Sequence, residues 1–169
     1  MLGTPASASF IPKIISWNTT FKCNLNCSHC YLNAQDKAKT EELTTNQGKS
    51  LIDQIAKVSN PILILSGGEP LLRDDIFELA IYASQKGLRV TMGTNGTLID
   101  DSVAKKLLDV GIRKVAISLD SSEPAIHNNL RGTQDAWQKA AEGIKACIRN
   151  GVGVQVNVTV TQQNYEDID

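Results

Sequence analysis

Three cysteines stand within one short stretch, Cys23-Asn24-Leu25-Asn26-Cys27-Ser28-His29-Cys30. Thiolates are the usual ligands of iron–sulfur clusters and are good ligands for zinc. Here three residues separate the first pair and two separate the second, unlike the bacterial ferredoxin run, and no fourth cysteine is near. Three thiolates on a four-iron cube leave one iron open to bind and activate a small molecule. Structural zinc is the other reading. It wants a fourth ligand, and His29 is badly placed for that because it abuts Cys30. The remaining cysteine, Cys147, shares a helix face with Ile144 and Ile148 and reads as a small buried hydrophobe. Three close thiols and one distant one make a poor disulfide framework; reduced thiols or a metal site fit better.

A second set of chemically capable residues falls where strands are expected to end. Gly67-Gly68-Glu69-Pro70 allows a tight turn and a close approach of backbone to a ligand; it also reads as a plain strand-to-helix turn with proline early in the helix. Thr94-Asn95-Gly96 contains an ordinary turn dipeptide. Ser118 and Asp120 offer hydrogen-bonding groups or caps. Arg131 offers bidentate pairing with a carboxylate, or is a surface cation. Asn157 lies on an otherwise apolar stretch, as a ligand contact or a satisfied core amide.

Alternating elements must position these groups. Lys13–Thr20 is strand-like. Thr44–Ser59 carries a helical stripe of Leu51, Ile52, Ile55, Ala56 and Val58. Pro61–Leu65 is a short apolar strand. Asp74–Lys86 is helical with Ile76, Phe77, Leu79, Ala80 and Ala83 inward, and Gly87 stops it. Leu88–Gly93 is a strand, Asp100–Val110 a helix ended by Gly111, and Lys114–Leu119 a strand. Thr133–Asn150 is a helix ended by Gly151, and Val152–Thr161 is a β-branched strand. This order, β-α-β-α-β-α-β-α-β, predicts an α/β fold with a parallel sheet whose strands are buried on both faces. A closed eight-fold barrel takes about 250 residues. Five units at most predict a partial, open parallel (β/α) barrel. The cysteine loop follows the first strand, at the carboxyl end of the sheet where such folds place their sites.

Residues 1–12 are expected to be a flexible lead-in and residues 13–169 one core domain, incomplete at its C-terminus. Asn164 reads as a helix N-cap and Asp167, three residues later, as its capping-box partner. The expected helix is cut short and the fifth strand is left as an edge, so a longer protein is expected.

Composition excludes several classes. The chain has 17 basic and 18 acidic residues and a net charge of −1. Scattered basic residues give no reason to expect nucleic acid or an anionic membrane as partner. No apolar run approaches a membrane span, and no secretory signal is evident. A cytoplasmic location is the expectation.

The cysteine spacing together with Gly67-Gly68-Glu69-Pro70 resembles the radical S-adenosylmethionine (radical SAM) superfamily, a TIM-barrel-like fold. Thr94-Asn95-Gly96, Ser118-Leu119-Asp120 and the stretch from His127 to Arg131-Gly132 resemble its later motifs, so the likeness runs from about Ile15 to Thr161. One local departure is Asn128, where the family usually has Asp. The resemblance implies that Cys23, Cys27 and Cys30 hold a [4Fe–4S] cluster. It implies that Gly67, Gly68, Glu69 and Pro70 hold the methionine ammonium of S-adenosylmethionine, with the Glu69 carboxylate facing that cation. It assigns Thr94, Asn95 and Gly96 to the cofactor pocket, Ser118 and Asp120 to the ribose, and Arg131 to the methionine carboxylate. It places Asn157 within reach of the cofactor and His29, followed by Tyr31, near the adenine. The implied chemistry is reductive cleavage of S-adenosylmethionine to a 5′-deoxyadenosyl radical that abstracts hydrogen from a substrate. The implied partners are an external electron donor such as ferredoxin or flavodoxin and a tetrapyrrole or peptide substrate. Ile15-Ser16-Trp17-Asn18-Thr19-Thr20 and Tyr31-Leu32-Asn33-Ala34 most resemble enzymes that trim tetrapyrrole side chains in haem and haem d1 synthesis, iron-coproporphyrin decarboxylation being one such reaction. Peptide-modifying, SPASM-type maturases share nearly the same core. A non-catalytic iron–sulfur or S-adenosylmethionine-binding module, and a zinc-stabilised scaffold, are the readings from other classes.

Overall fold

The computed structural model describes residues 11–34 and 42–167. Most of the expected lead-in, residues 1–10, and the last two residues lie outside them. Five parallel strands form one sheet in sequential order: β1 (Ile14–Asn18), β2 (Ile62–Ser66), β3 (Arg89–Thr94), β4 (Lys114–Ser118) and β5 (Gly153–Asn157). Helices α1 (Thr45–Val58), α2 (Ile76–Gln85), α3 (Asp101–Asp109), α4 (Pro124–Arg131) and α5 (Ala136–Arg149) fill the crossovers. The sequential order with edges at β1 and β5 is the partial, open barrel expected.

Local chemistry fixes where the helices begin. The Thr44 hydroxyl accepts from the Gln47 amide while the Gln47 side chain accepts from the Thr44 amide, a complete capping box for α1. The Asp100 side chain caps α3 through the Val103 amide. The core lies between the sheet and these helices. Leu63 and Leu65 of β2, Met92 of β3, and Val115 and Ile117 of β4 are fully buried against Ile52, Leu79 and Leu107 of the helices. Each such side chain contributes about 1.5–3 kcal/mol by leaving water.

Among the described residues, helices cover the sheet on one face only. The alternate strand residues, among them Ile62, Ile64 and Ser66 of β2, line a concave hollow of about 770 Å³. The expectation of strands buried on both faces is corrected: as in a barrel wall, helices pack outside and the inner face looks into the lumen.

Three further differences from the sequence pattern appear. Helix α4 was not read from the sequence, although Pro124 occupies its first turn and Gly132, at φ 71°, closes it. Asn164 does precede a short helical turn, Tyr165–Asp167, and its carbonyl accepts the Asp167 amide, but its side chain does not cap that turn. Its buried side chain accepts from the Thr161 amide and donates to the Asp120 and Thr159 carbonyls, and Asp167 accepts from Ser121 and Ser122 instead of closing a capping box. The expected long fifth strand gives up sheet pairing after Asn157, because the chain there is drawn across the top of β4: the Asp120 carboxylate accepts the Thr159 amide at 3.0 Å.

Candidate functional site

The site is built at the carboxyl ends of the strands, where four loops meet. Past β1, the chain from Thr19 to Lys22 runs beside the chain leaving β2. The Thr19 amide donates to the Ser66 carbonyl at 2.7 Å, Gly68 to Thr20 at 2.8 Å, and Glu69 to Lys22 at 2.8 Å. This seam explains the two glycines. A Cβ on Gly67 would lie 2.4 Å from the Thr20 carbonyl oxygen, at φ 142°, and one on Gly68 would lie 2.4 Å from that of Lys22. The glycines therefore weld the second loop to the chain that leads into the cysteines.

The cysteine loop is held from its other side by α4. Ser28 donates its amide to the Leu130 carbonyl at 2.9 Å, and a side chain on Gly132 would strike the Asn26 carbonyl at 2.3 Å. Leu25, Ala34 and Ala136 form a small apolar cluster under the thiols. Thus Cys23, Cys27 and Cys30 are brought to one hollow of about 210 Å³. All are free thiols. Cys23 accepts from the Leu25 amide and Cys30 from the Ala34 amide, each at 3.4 Å; Cys27 accepts from Arg131 Nη1 at 3.8 Å. Burial pushes the Cys23 and Cys27 thiols up; the Leu25 amide pulls Cys23 back and the Arg131 guanidinium pulls Cys27 back.

His29, Tyr31, Gly67, Gly68, Thr94, Asn95, Ser118, Arg131 and Asn157 line the same hollow. Nine residues separated widely in sequence thus share one hollow with the thiols. Tyr31 does so at the mouth, 80% exposed, with its hydroxyl bonded to Asn18. His29 presents a buried Nδ1 with no hydrogen-bond partner among the described residues. Burial, then Arg131, pushes its pKa down.

Four expected contacts are placed elsewhere. Glu69 is fully buried behind the hollow. Its carboxylate accepts from the Thr94 hydroxyl, the Asn95 amide and the Leu71 amide, at 2.8–3.1 Å, and braces the second loop against the third. It presents no oxygen to the lining, so a cation there would meet the backbone of Gly67 and Gly68. Pro70 is buried in the turn that follows. Gly96, at φ 78°, lets the third loop pack beneath α5, where a Cβ would meet Ile117 at 2.7 Å. Asp120 is buried too. It pairs with Arg131 Nε at 2.6 Å, and its backbone amide donates to His127 Nδ1 at 3.0 Å. That bond makes Nδ1 an acceptor; burial, with Arg131 next, pushes the His127 pKa to about 4, so its 3.9 Å approach to Asp120 is not an ion pair.

Sequence reading missed Thr159, which joins the lining. It also missed Asn24, which accepts from the Asn95 side chain at 2.9 Å and ties the first loop to the third. Two asparagines inside the cysteine spacing were the available signal for such a tie.

The donor set fits an iron–sulfur cube. Among the described residues, no group of three His, Cys, Asp or Glu side chains converges on a single-ion site. Three thiols that line one hollow can each take a different iron of a cube, whereas a structural zinc wants four protein ligands. The Cys147 thiol is buried in the main core away from this loop, its pKa pushed up to about 11 by burial.

Residues 17–169 match the profile of the radical SAM superfamily. The chain is 41% identical over 157 residues to an AdoMet-dependent heme synthase of Methanosarcina barkeri, covering 93% of this chain and 45% of that protein. It is 43% identical over 155 residues to Fe-coproporphyrin III synthase of the same organism, covering 92% and 39% respectively. The chain therefore spans less than half the length of these curated relatives. Among solved structures, Streptococcus suis SuiB bound to S-adenosylmethionine superposes with a TM-score of 0.80 over 94% of this chain and 36% of that one, at 22% identity.

Proposed function

The chain belongs to the radical SAM superfamily, and on that premise we propose that it is the catalytic core of an enzyme that modifies tetrapyrrole side chains. One observation carries the reading: three free thiols line the same hollow as the glycine seam and a polar rim of Thr94, Asn95, Ser118 and Asn157. Cys23, Cys27 and Cys30 hold a [4Fe–4S] cluster. Gly67 and Gly68 supply backbone to the amino-acid end of S-adenosylmethionine, and Ser118 and Asn157 supply side-chain polar atoms to its sugar end. When bound, the reduced cluster and S-adenosylmethionine together supply a 5′-deoxyadenosyl radical able to take a hydrogen atom from an unreactive carbon.

The chain's own residues position and shield that chemistry. Leu25, Leu32 and Ala34 form an apolar wall beside the thiols, which limits water near a reactive species. Ser66, Gly93, Ala116 and Asn157 line both this hollow and the concave hollow of the sheet. A flat, largely apolar substrate lying against the inner face would reach the site through that junction. Similarity above 40% to heme-pathway relatives favours a tetrapyrrole over a peptide. An external one-electron donor of the ferredoxin or flavodoxin class reduces the cluster. The enzyme is proposed to be cytoplasmic; among the described residues no helix is long and apolar enough to cross a membrane.

The test is anaerobic reconstitution with iron and sulfide, then dithionite and S-adenosylmethionine, with 5′-deoxyadenosine quantified by chromatography. Deoxyadenosine is expected from the native chain and not from Cys27→Ala. A cluster without deoxyadenosine would make this a binding module. Retained zinc without a four-iron cluster would overturn the reading.

A further inference from the structure

Among the described residues Arg131 is the one Lys or Arg that lines the hollow, and two of its nitrogens are engaged. Nε is bound to Asp120 Oδ2 at 2.6 Å, and Nη1 points at Cys27 Sγ, 3.8 Å away. Asp120 is fixed in turn from every side. Its second oxygen accepts the Thr159 amide at 3.0 Å, its carbonyl accepts from Asn164 at 2.7 Å, and its amide is bonded to His127. The titratable side chains nearest this pair are two histidines: His127 Nδ1 and His29 Nε2 each stand 3.9 Å from Asp120 Oδ2. Such a clamp from β4, α4 and the chain beyond β5 exceeds what a surface arginine needs. We propose that Asp120 is a positioning residue that aims the Arg131 guanidinium at the Cys27 thiolate, and that this contact raises the reduction potential of the cluster Cys27 helps to hold.

The proposal rests on the cluster assignment above. Hydrogen bonds to ligand sulfurs and nearby charge are the protein's levers on iron–sulfur potentials. Reduction adds negative charge to the cluster, so a cation donating to a ligand sulfur favours the reduced form. The guanidinium has five N–H donors, and those not engaged by Asp120 and Cys27 remain for a ligand carboxylate. Arg131 can therefore tune the cluster and meet the amino-acid end of a bound cofactor together.

The experiment is an EPR-monitored redox titration of the reconstituted cluster, without S-adenosylmethionine, in the native chain, Arg131→Gln and Asp120→Asn, with iron content and circular dichroism measured on each. Both variants are expected to titrate at more negative potential than the native chain. Asp120→Asn gives the diagnostic sign. Deleting a buried negative charge by itself raises the potential, and only release of Arg131 from Cys27 lowers it. An unchanged Arg131→Gln midpoint with full iron, or a raised Asp120→Asn midpoint, overturns the proposal. If Arg131→Gln loses its fold, the sign for Asp120→Asn decides. Failure of the native chain to assemble a four-iron cluster would instead overturn the cluster assignment itself.

Discussion

Two carboxylates lie buried behind the rim of the sheet, and they are neutralised in opposite ways. Glu69, between the second and third loops, is surrounded by uncharged donors: one hydroxyl and two backbone amides. Asp120, between the fourth strand and the chain beyond β5, is paired with a guanidinium. Burial is the dominant influence on Glu69 and pushes its pKa to about 7, with the amides of Asn95 and Leu71 and the Thr94 hydroxyl only pulling it back part-way. The difference teaches what each rim does. Glu69 ties loops together and steers no charged side chain. Asp120 holds a long cation whose other end reaches a thiol, so the same residue class serves as a brace on one rim and as a lever on the other.

The largest effect should come from breaking the charged rim. Arg131→Leu leaves Asp120 buried without a counter-charge and is expected to cost about 3–5 kcal/mol. Adding Asp120→Asn to it should return much of that loss, because the stranded charge is gone. Urea denaturation of the two single variants and the double variant forms the cycle that measures this coupling. Simple additivity of the two single costs would show that the pair is not coupled and would erase the contrast with Glu69.

Next in size is the pH dependence at the uncharged rim. The folded pKa of Glu69, about 7, lies above its ordinary value of 4.5, so the native state holds this proton more tightly than the unfolded chain does. The associated stability is fully present below pH 4.5 and is lost as pH rises through about 7, a swing of about 3 kcal/mol. His127 works the other way: its pKa falls from 6.5 to about 4, so its contribution is present above pH 6.5 and is lost as pH falls through about 4. The difference between native and Glu69→Gln denaturation curves isolates Glu69, because His127 is common to both. That difference should change by about 3 kcal/mol between pH 4.5 and 7.5. A difference independent of pH would mean that the donors already hold Glu69 as an ordinary carboxylate.

The two rims also differ in how much the sequence disclosed. Elements with a strong period were legible: the stripe of α1, the apolar run of β2 and the glycine stops after α2 and α3 all lie within a few residues of where pattern placed them. The thiols and the glycine seam were legible because their spacing and the loss of Cβ have few other uses. The direction of Glu69 and Asp120 was not. A motif records that a carboxylate stands at a strand end, and only tertiary packing decides whether it faces the hollow or turns behind it. Helix α4 was missed for a related reason. Its eight residues carry the polar set His127, Asn128, Asn129 and Arg131, read as chemistry rather than as a turn-rich helix. Asn164 was misread because a side chain that serves distant carbonyls looks, in sequence, like a local cap.

The smallest expected effect concerns Asn128, on the charged rim, where the family usually carries Asp. Its side-chain oxygen accepts from the Trp137 amide at 2.8 Å, in the first turn of α5, while its nitrogen donates to the Gln134 carbonyl at 2.7 Å. Asn128→Asp exchanges that second bond, worth about 0.5–1.5 kcal/mol, for a negative charge at a helix N-terminus, worth about 0.3–1 kcal/mol. The two nearly cancel, so Asn128→Asp should change stability by less than about 0.5 kcal/mol. Asn128→Ala loses both bonds and should cost about 1–2 kcal/mol. Thermal unfolding of the two variants separates a capping role from a charge role. A large stabilisation by Asp would mean that the charge of this rim is incompletely balanced by Arg131, and would bring it closer to the Glu69 rim than its geometry indicates.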